Sequence, residues 1–147
     1  MPTAARLFAA LGFAAIAFFA SESFIRELPE GTNAGWFSQI NALLGAVSGW
    51  SVMGRLAGRG YGPAVTSGAR TTATFVFYAL VGHGLYEMIR MSMKLRYGGP
   101  GEAVLGFFDI VLEYGQILIT SWPVMAILLI GGTLAAWLSE WAAARWS

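Results

Sequence analysis

The one histidine of this sequence, His83, opens a polar series in which Glu87, Arg90 and Lys94 follow at steps of four, three and four, so that all four share one face of an α-helix. A second series, Glu102, Asp109, Glu113 and Gln116, steps by seven, four and three, and Thr120 continues the same helical face. Between the two, Gly98-Gly99-Pro100 turns the chain. An antiparallel hairpin built on that turn sets Lys94 opposite Glu102, Arg90 near Asp109 and His83 near Glu113. The two faces are complementary in sign.

Such a seam suits three kinds of chemistry. The favoured one is structural: ion pairs and hydrogen bonds neutralise charges that would otherwise meet lipid. In the second, Arg90, Lys94 and His83 hold an oxyanion, since guanidinium matches oxyanions bidentately and imidazole adds a titrating donor. In the third, His83, Glu87, Asp109 and Glu113 ligate a divalent metal across facing helices. One histidine among carboxylates is a loose signature, and the paired Glu-x-x-His motifs of di-iron bundles are missing, so neither a metal centre nor a cofactor is expected. There is no cysteine, nucleophile elbow, phosphate-cradling loop or His-Glu-x-x-His pair, and no enzyme is expected. A pump needs a nucleotide loop, and carriers are usually built from two multi-span repeats.

The elements that must position this seam follow from composition. Of 147 residues, 56% are hydrophobic and 14% aromatic, while charged residues make up 12% against about a quarter in soluble domains. Mean hydropathy is +0.61. That is more apolar surface than one small soluble core can bury. Nine basic and eight acidic residues leave a net charge of +1, which excludes both a disordered chain and a nucleic-acid binder.

Charges are confined to the ends of four long uncharged intervals. These predict an all-α polytopic membrane protein, a single helical domain over residues 1–147, with spans near 3–27, 34–57, 66–95 and 118–144. The first span is read as a retained helix, because Phe18 is too large for a signal-cleavage position before Ser21. The stretch 102–116 is an amphipathic helix, read as interfacial. The other reading has it crossing the membrane as one of five spans, with a tight reversal at Thr120-Ser121-Trp122-Pro123.

Span two carries a face of small residues, Ser38, Asn41, Ala42, Gly45, Ser48 and Gly49, on which helix backbones approach closely. Packing inside the chain's own bundle is the preferred use, with docking against a second copy or another membrane protein as the other. Arg55, Arg59 and Arg70 read as topology signals and lipid-headgroup contacts. Basic residues near the span ends favour both termini in the cytoplasm, by a narrow margin.

Several stretches resemble one family along nearly the whole chain. They are Met-Pro-Thr-Ala-Ala-Arg-Leu at residues 1–7, Pro-Glu-Gly-Thr-Asn-Ala-Gly-Trp-Phe from Pro29, and Gly-Trp-Ser-Val-Met-Gly-Arg-Leu-Ala-Gly-Arg-Gly-Tyr-Gly from Gly49. Further on come Glu-Met-Ile-Arg from Glu87, Arg-Tyr-Gly-Gly-Pro from Arg96, Glu-Tyr-Gly from Glu113, and a Trp-Ala-Ala-Ala-Arg-Trp ending. In these the chain resembles the TrgA-type tellurium-resistance membrane proteins of bacteria. The resemblance implies a multi-pass inner-membrane protein linked to tellurite tolerance. It brings no catalytic motif, so no site residue is carried over. Residues alone fit an accessory subunit of a larger respiratory or photosynthetic membrane complex equally well.

Overall fold

A computed structural model of the chain describes residues 3–27, 37–93 and 98–146, and every regular element among them is helical. Helix α1 is Thr3–Glu27. Helix α2, Phe37–Ser48, runs on through a π-helical turn, Gly49–Met53, and closes with Gly54–Leu56. Helix α3 is Tyr61–Met93, α4 is Pro100–Thr120 and α5 is Trp122–Trp146. Of these, α1, α4 and α5 are long and apolar enough to cross a membrane.

The expected 3–27 helix matches α1, and the expected 118–144 helix starts four residues later, at Trp122. The stretch read as an amphipathic helix over 102–116 is longer, Pro100–Thr120, and apolar enough to cross. Its polar positions are too few to offset Val104, Leu105, Phe108, Leu112 and Ile119, all exposed. Pro100 opens the helix where a missing N–H costs nothing, and Pro123 does the same for α5. Ser121 between them is extended, with φ −85° and ψ 100°.

Small residues fill the inside and large ones face out. Among the described residues, nine of the sixteen buried hydrophobics are alanine, whereas Leu7, Leu11, Phe19, Leu43 and Ile130 are exposed. This inversion suits helices whose surroundings are as apolar as their contacts, where close backbone approach rather than water exclusion holds them together. Gly45 and Gly49 of α2 rest on Ala9, Phe13 and Ala17 of α1; a Cβ on Gly45 would stand 2.7 Å from that of Ala17. Gly68 of α3 leaves room for Ala136 and the Gly132 carbonyl of α5, each 2.8 Å from a Cβ placed there.

These contacts also fix direction. Along α3, Gly84 meets Phe107 and Val111, Thr72 meets Gly132, Gly68 meets Gly132 and Ala136, and the Tyr61 carbonyl meets Trp137. As the α3 number falls, the partner's number rises through the break at Ser121. Helices α4 and α5 therefore run the same way, both antiparallel to α3. This corrects the five-span expectation of a reversal at Thr120–Pro123: the extended Ser121 interrupts one path without turning it back.

Helix α1 runs antiparallel to α5, with Gly12 on Ala135, Ile16 on Gly131 and Phe8 on Trp141, and antiparallel to α2. The start of α1, the turn after α2 and the end of α5 thus share one end of the bundle. The Gly98-Gly99 turn lies toward the other. At 33 residues α3 is about 50 Å long, well beyond a hydrocarbon core of about 30 Å.

The packing separates glycines that matter from those that do not. Gly68→Leu should lower thermal stability in detergent by about 1–3 kcal/mol through overpacking, whereas Gly82→Ala, where an added Cβ meets nothing within 4 Å, should leave it unchanged or slightly raised. Equal melting temperatures for the two variants would contradict the α3–α5 contact.

Candidate functional site

Three helices contribute to a buried chain of hydrogen bonds. Ser21 Oγ of α1 donates to the Ala17 carbonyl one turn back, at 2.6 Å. Having spent its only proton, Ser21 must accept from Asn41 Nδ2 of α2, at 2.8 Å. That places Asn41 Oδ1 toward His83 of α3, whose Nε2 lies 2.9 Å away and must donate. The series therefore has one direction, from imidazole to amide to hydroxyl to backbone carbonyl. It leaves His83 Nδ1 as an acceptor when the ring is neutral. The ring also rests on Phe37, with centroids 4.4 Å apart.

The relay forms part of the wall of a cavity of about 60 Å³ at which all five helices meet. Ala17, Phe24, Phe75, Val76, Ala79, Leu118, Val124 and Leu128 supply most of the remaining wall, and Tyr114 adds a hydroxyl-bearing ring. The space survives because alanines 17, 20 and 79 face it and because the helical path breaks between Leu118 and Val124. Phe24 closes one side by stacking on Phe37 and meeting Tyr114 edge-on.

The antiparallel hairpin forms, but the expected seam does not line it. Gly84 seats Phe107 and Val111, so α4 meets α3 there through apolar residues. Arg90, however, bonds Glu87 of its own helix at 3.0 Å instead of Asp109, and His83 bonds Asn41 instead of Glu113. Glu102 turns back to accept from the Gly98 N–H at 2.6 Å. Asp109, Glu113 and Gln116 are exposed. Lys94 lies outside the described residues. A partner one helical turn away costs no inter-helix alignment, and an exposed carboxylate keeps its hydration; both favour the observed arrangement. The Tyr114 hydroxyl feels Glu87 and Glu113 in one sense and Arg90 in the opposite one. Among the described residues, no three of His, Asp and Glu converge in a group fit for a metal ion.

The small-residue face is used within the chain. Ser38, Asn41, Gly45, Ser48 and Gly49 are buried and Ala42 is half-buried, with the glycines covered by α1. Arg55, Arg59 and Arg70 are exposed.

Sequence reasoning missed Glu140. It is 5% exposed, and its two oxygens accept the N–H groups of Gly58 and Gly60, each at 2.8 Å. Those glycines have φ of +99° and +107°, a left-handed backbone that turns successive N–H groups to one side and makes an anion-holding concavity. Trp137 reinforces the link by donating to the Tyr61 carbonyl at 3.2 Å. The available signal was an acid between Trp137 and Trp141 at the end of a long uncharged run, set against an Arg59 turn flanked by glycines.

Glu140→Ala strands two inward-facing N–H groups and should destabilise the protein by about 1–3 kcal/mol. Glu87→Ala removes an ion pair whose arginine side chain is 43% exposed and should cost no more than about 0.5 kcal/mol. Thermal unfolding in detergent measures both, and a larger loss at Glu87 would reverse the assignment of which acid holds the fold. Family models, curated proteins and solved structures offer no match to this chain.

Proposed function

We propose that this chain is a four-span protein of the bacterial inner membrane, with both termini cytoplasmic, and that it supports tellurite tolerance by protecting membrane processes rather than by binding or converting the oxyanion. The resemblance of its sequence to tellurium-resistance proteins supplies the biological setting. The observation that carries the rest is the internal use of the seam's cationic and donor groups: Arg90 is held by Glu87, and His83 by Asn41.

The surroundings of the seam point the same way. Glu22, Glu27, Glu87, Glu102, Asp109 and Glu113 are found on that half of the molecule, against Arg26 and Arg90 among the described residues. An approaching oxyanion meets a field of its own sign. At the opposite end stand Arg6, Arg55, Arg59 and Arg145, where the one acid among the described residues, Glu140, is buried on backbone N–H groups. That end suits the anionic cytoplasmic leaflet. In this topology α1, α2, α3 and the joined path of α4 and α5 make the four crossings, the exposed apolar residues of α4 included. The accessory-subunit reading loses its strongest feature, since the small-residue face of α2 is occupied by α1.

Two experiments test this. The chain has no cysteine, so single-cysteine variants Arg59→Cys and Gly99→Cys should label from opposite sides of the membrane; labelling from one side refutes the topology. A deletion strain should be sensitive to tellurite and fully rescued by Arg90→Ala. Lost tolerance with normal amounts of folded Arg90→Ala protein would restore oxyanion binding. An insensitive deletion strain, with the protein co-migrating with a respiratory complex in mild detergent, would favour the subunit role.

A further inference from the structure

We infer that the outward face of α3 around Arg70 docks a transmembrane helix of another protein, one that carries a carboxylate near the middle of its span. The inference rests on the crossing of the bilayer by α3 in the proposed topology and on nothing in the tellurite reading. Two independent observations carry it: the depth of an unpaired arginine, and an exception to the packing rule of the rest of the bundle.

The helix contacts fix the depth. Arg70 lies midway between Gly68 and Thr72, both of which meet Gly132 of α5. Gly132 in turn falls level with the stretch between Gly12 and Ile16 of α1, since Gly12 meets Ala135 and Ile16 meets Gly131. That level is the middle of the uncharged part of α1, which Arg6 and Glu22 bound. Arg70 is exposed there and has no carboxylate partner among the described residues. A guanidinium that faces hydrocarbon at mid-depth is costly unless an anion meets it.

The anion comes from neither lipid nor a second copy. Half of a hydrocarbon core of about 30 Å is about 15 Å, roughly twice the reach of an arginine side chain, so snorkelling leaves the phosphates of both leaflets out of range. A second copy inserted in the same direction brings Glu22, Glu87 and the acids of α4 toward one end and the buried Glu140 toward the other. None of these stands level with Arg70. A carboxylate on a foreign helix does, and it forms a bidentate pair shielded from water.

The surface beside Arg70 is shaped for such a helix. Elsewhere the bundle turns small residues inward and large ones outward, whereas α3 presents Gly62, Thr66, Ala69 and Ala73 on its exposed side. That side is opposite the buried Ala64, Gly68, Thr71 and Phe75. Steps of four, three and four are the spacing of a helix-packing seam, and small side chains let a second backbone come close. A Cβ placed on Gly62 meets nothing within 4 Å. Arg70 borders the seam one turn from Thr66, so a helix laid along it meets the guanidinium at mid-span. An interior kind of surface faces outward because the chain's own helices do not cover it.

The test uses the full-length protein in phosphatidylcholine vesicles. The chain has no cysteine, so Ala69→Cys carrying a bimane reports depth, and lipids brominated near their chain ends should quench it more strongly than lipids brominated near the headgroup. The reverse order would show that α3 does not cross, and would overturn the topology together with the inference. Energy transfer then measures association with a synthetic transmembrane helix of about 20 leucines that carries one central glutamate. It should bind saturably and about tenfold or more tightly than the same peptide with leucine at the centre. Arg70→Leu should remove that preference, Arg70→Lys should keep most of it, and Ala73→Leu should weaken binding of the glutamate peptide. With the depth confirmed, equal binding of the two peptides, or a preference that survives Arg70→Leu, would overturn the docking site and leave the four-span reading standing. Absent peptide binding, with Arg70→Leu lowering only the retention of phosphatidylglycerol, would assign the arginine to lipid and likewise overturn it.

Discussion

The contact on which the rest of this structure depends is the one between the backbones of α1 and α2. Gly45 and Gly49 have no side chains to hold the helices apart, and Ala9, Phe13 and Ala17 present their backbones and short side chains to them. Only at that separation does the short Asn41 side chain reach Ser21, and only with Asn41 so anchored is His83 met by an oxygen rather than by hydrocarbon. In an apolar surrounding there is little hydrophobic force between helices, so a polar link between them is secured first by how closely the backbones can approach. The glycines come first and the relay follows from them.

The same logic explains why two acidic residues of one chain behave so differently. Glu140 is almost entirely buried and accepts two backbone N–H groups from a turn that only glycine readily forms, so carboxylate and turn depend on each other. Glu87 sits beside a partly exposed arginine on its own helix and holds nothing else in place. Burial with fully satisfied partners makes an ion structural, and a nearby opposite charge does not.

The helical class, the first and last long helices and the antiparallel hairpin were legible because they rest on periodicity, on the glycine turn and on the length of uncharged runs. The small-residue face of residues 38–49 was legible for a similar reason, since glycine at a spacing of four has few other uses in an apolar helix. The pairing of the charges was not. Spacing places Arg90 opposite Asp109 and one turn from Glu87 with equal clarity, and local geometry decided between them. Asn41 and His83, 42 residues apart, lie on faces whose meeting depends on how three helices cross, which no local pattern encodes. Glu140 was hidden by its position: an acid near a terminal tryptophan looks like an interface residue until the glycine turn is brought against it.

The break at Ser121 ties the fold to the cavity. Had α4 and α5 formed one uninterrupted helix, Leu118 and Val124, six residues apart, would have stood about 120° from each other around its axis and could not both have lain on the ridge facing the groove between α1 and α3. With Ser121 extended, the residues on either side are offset, the ridge has a gap, and the alanines opposite are too small to fill it. Pro123 makes the gap persistent, because it supplies no N–H to mend the helical ladder across Ser121. The cavity is therefore a consequence of backbone chemistry at the break and not of loose packing. It lies at the level where the relay ends because Phe24, Phe37 and Tyr114 close around His83.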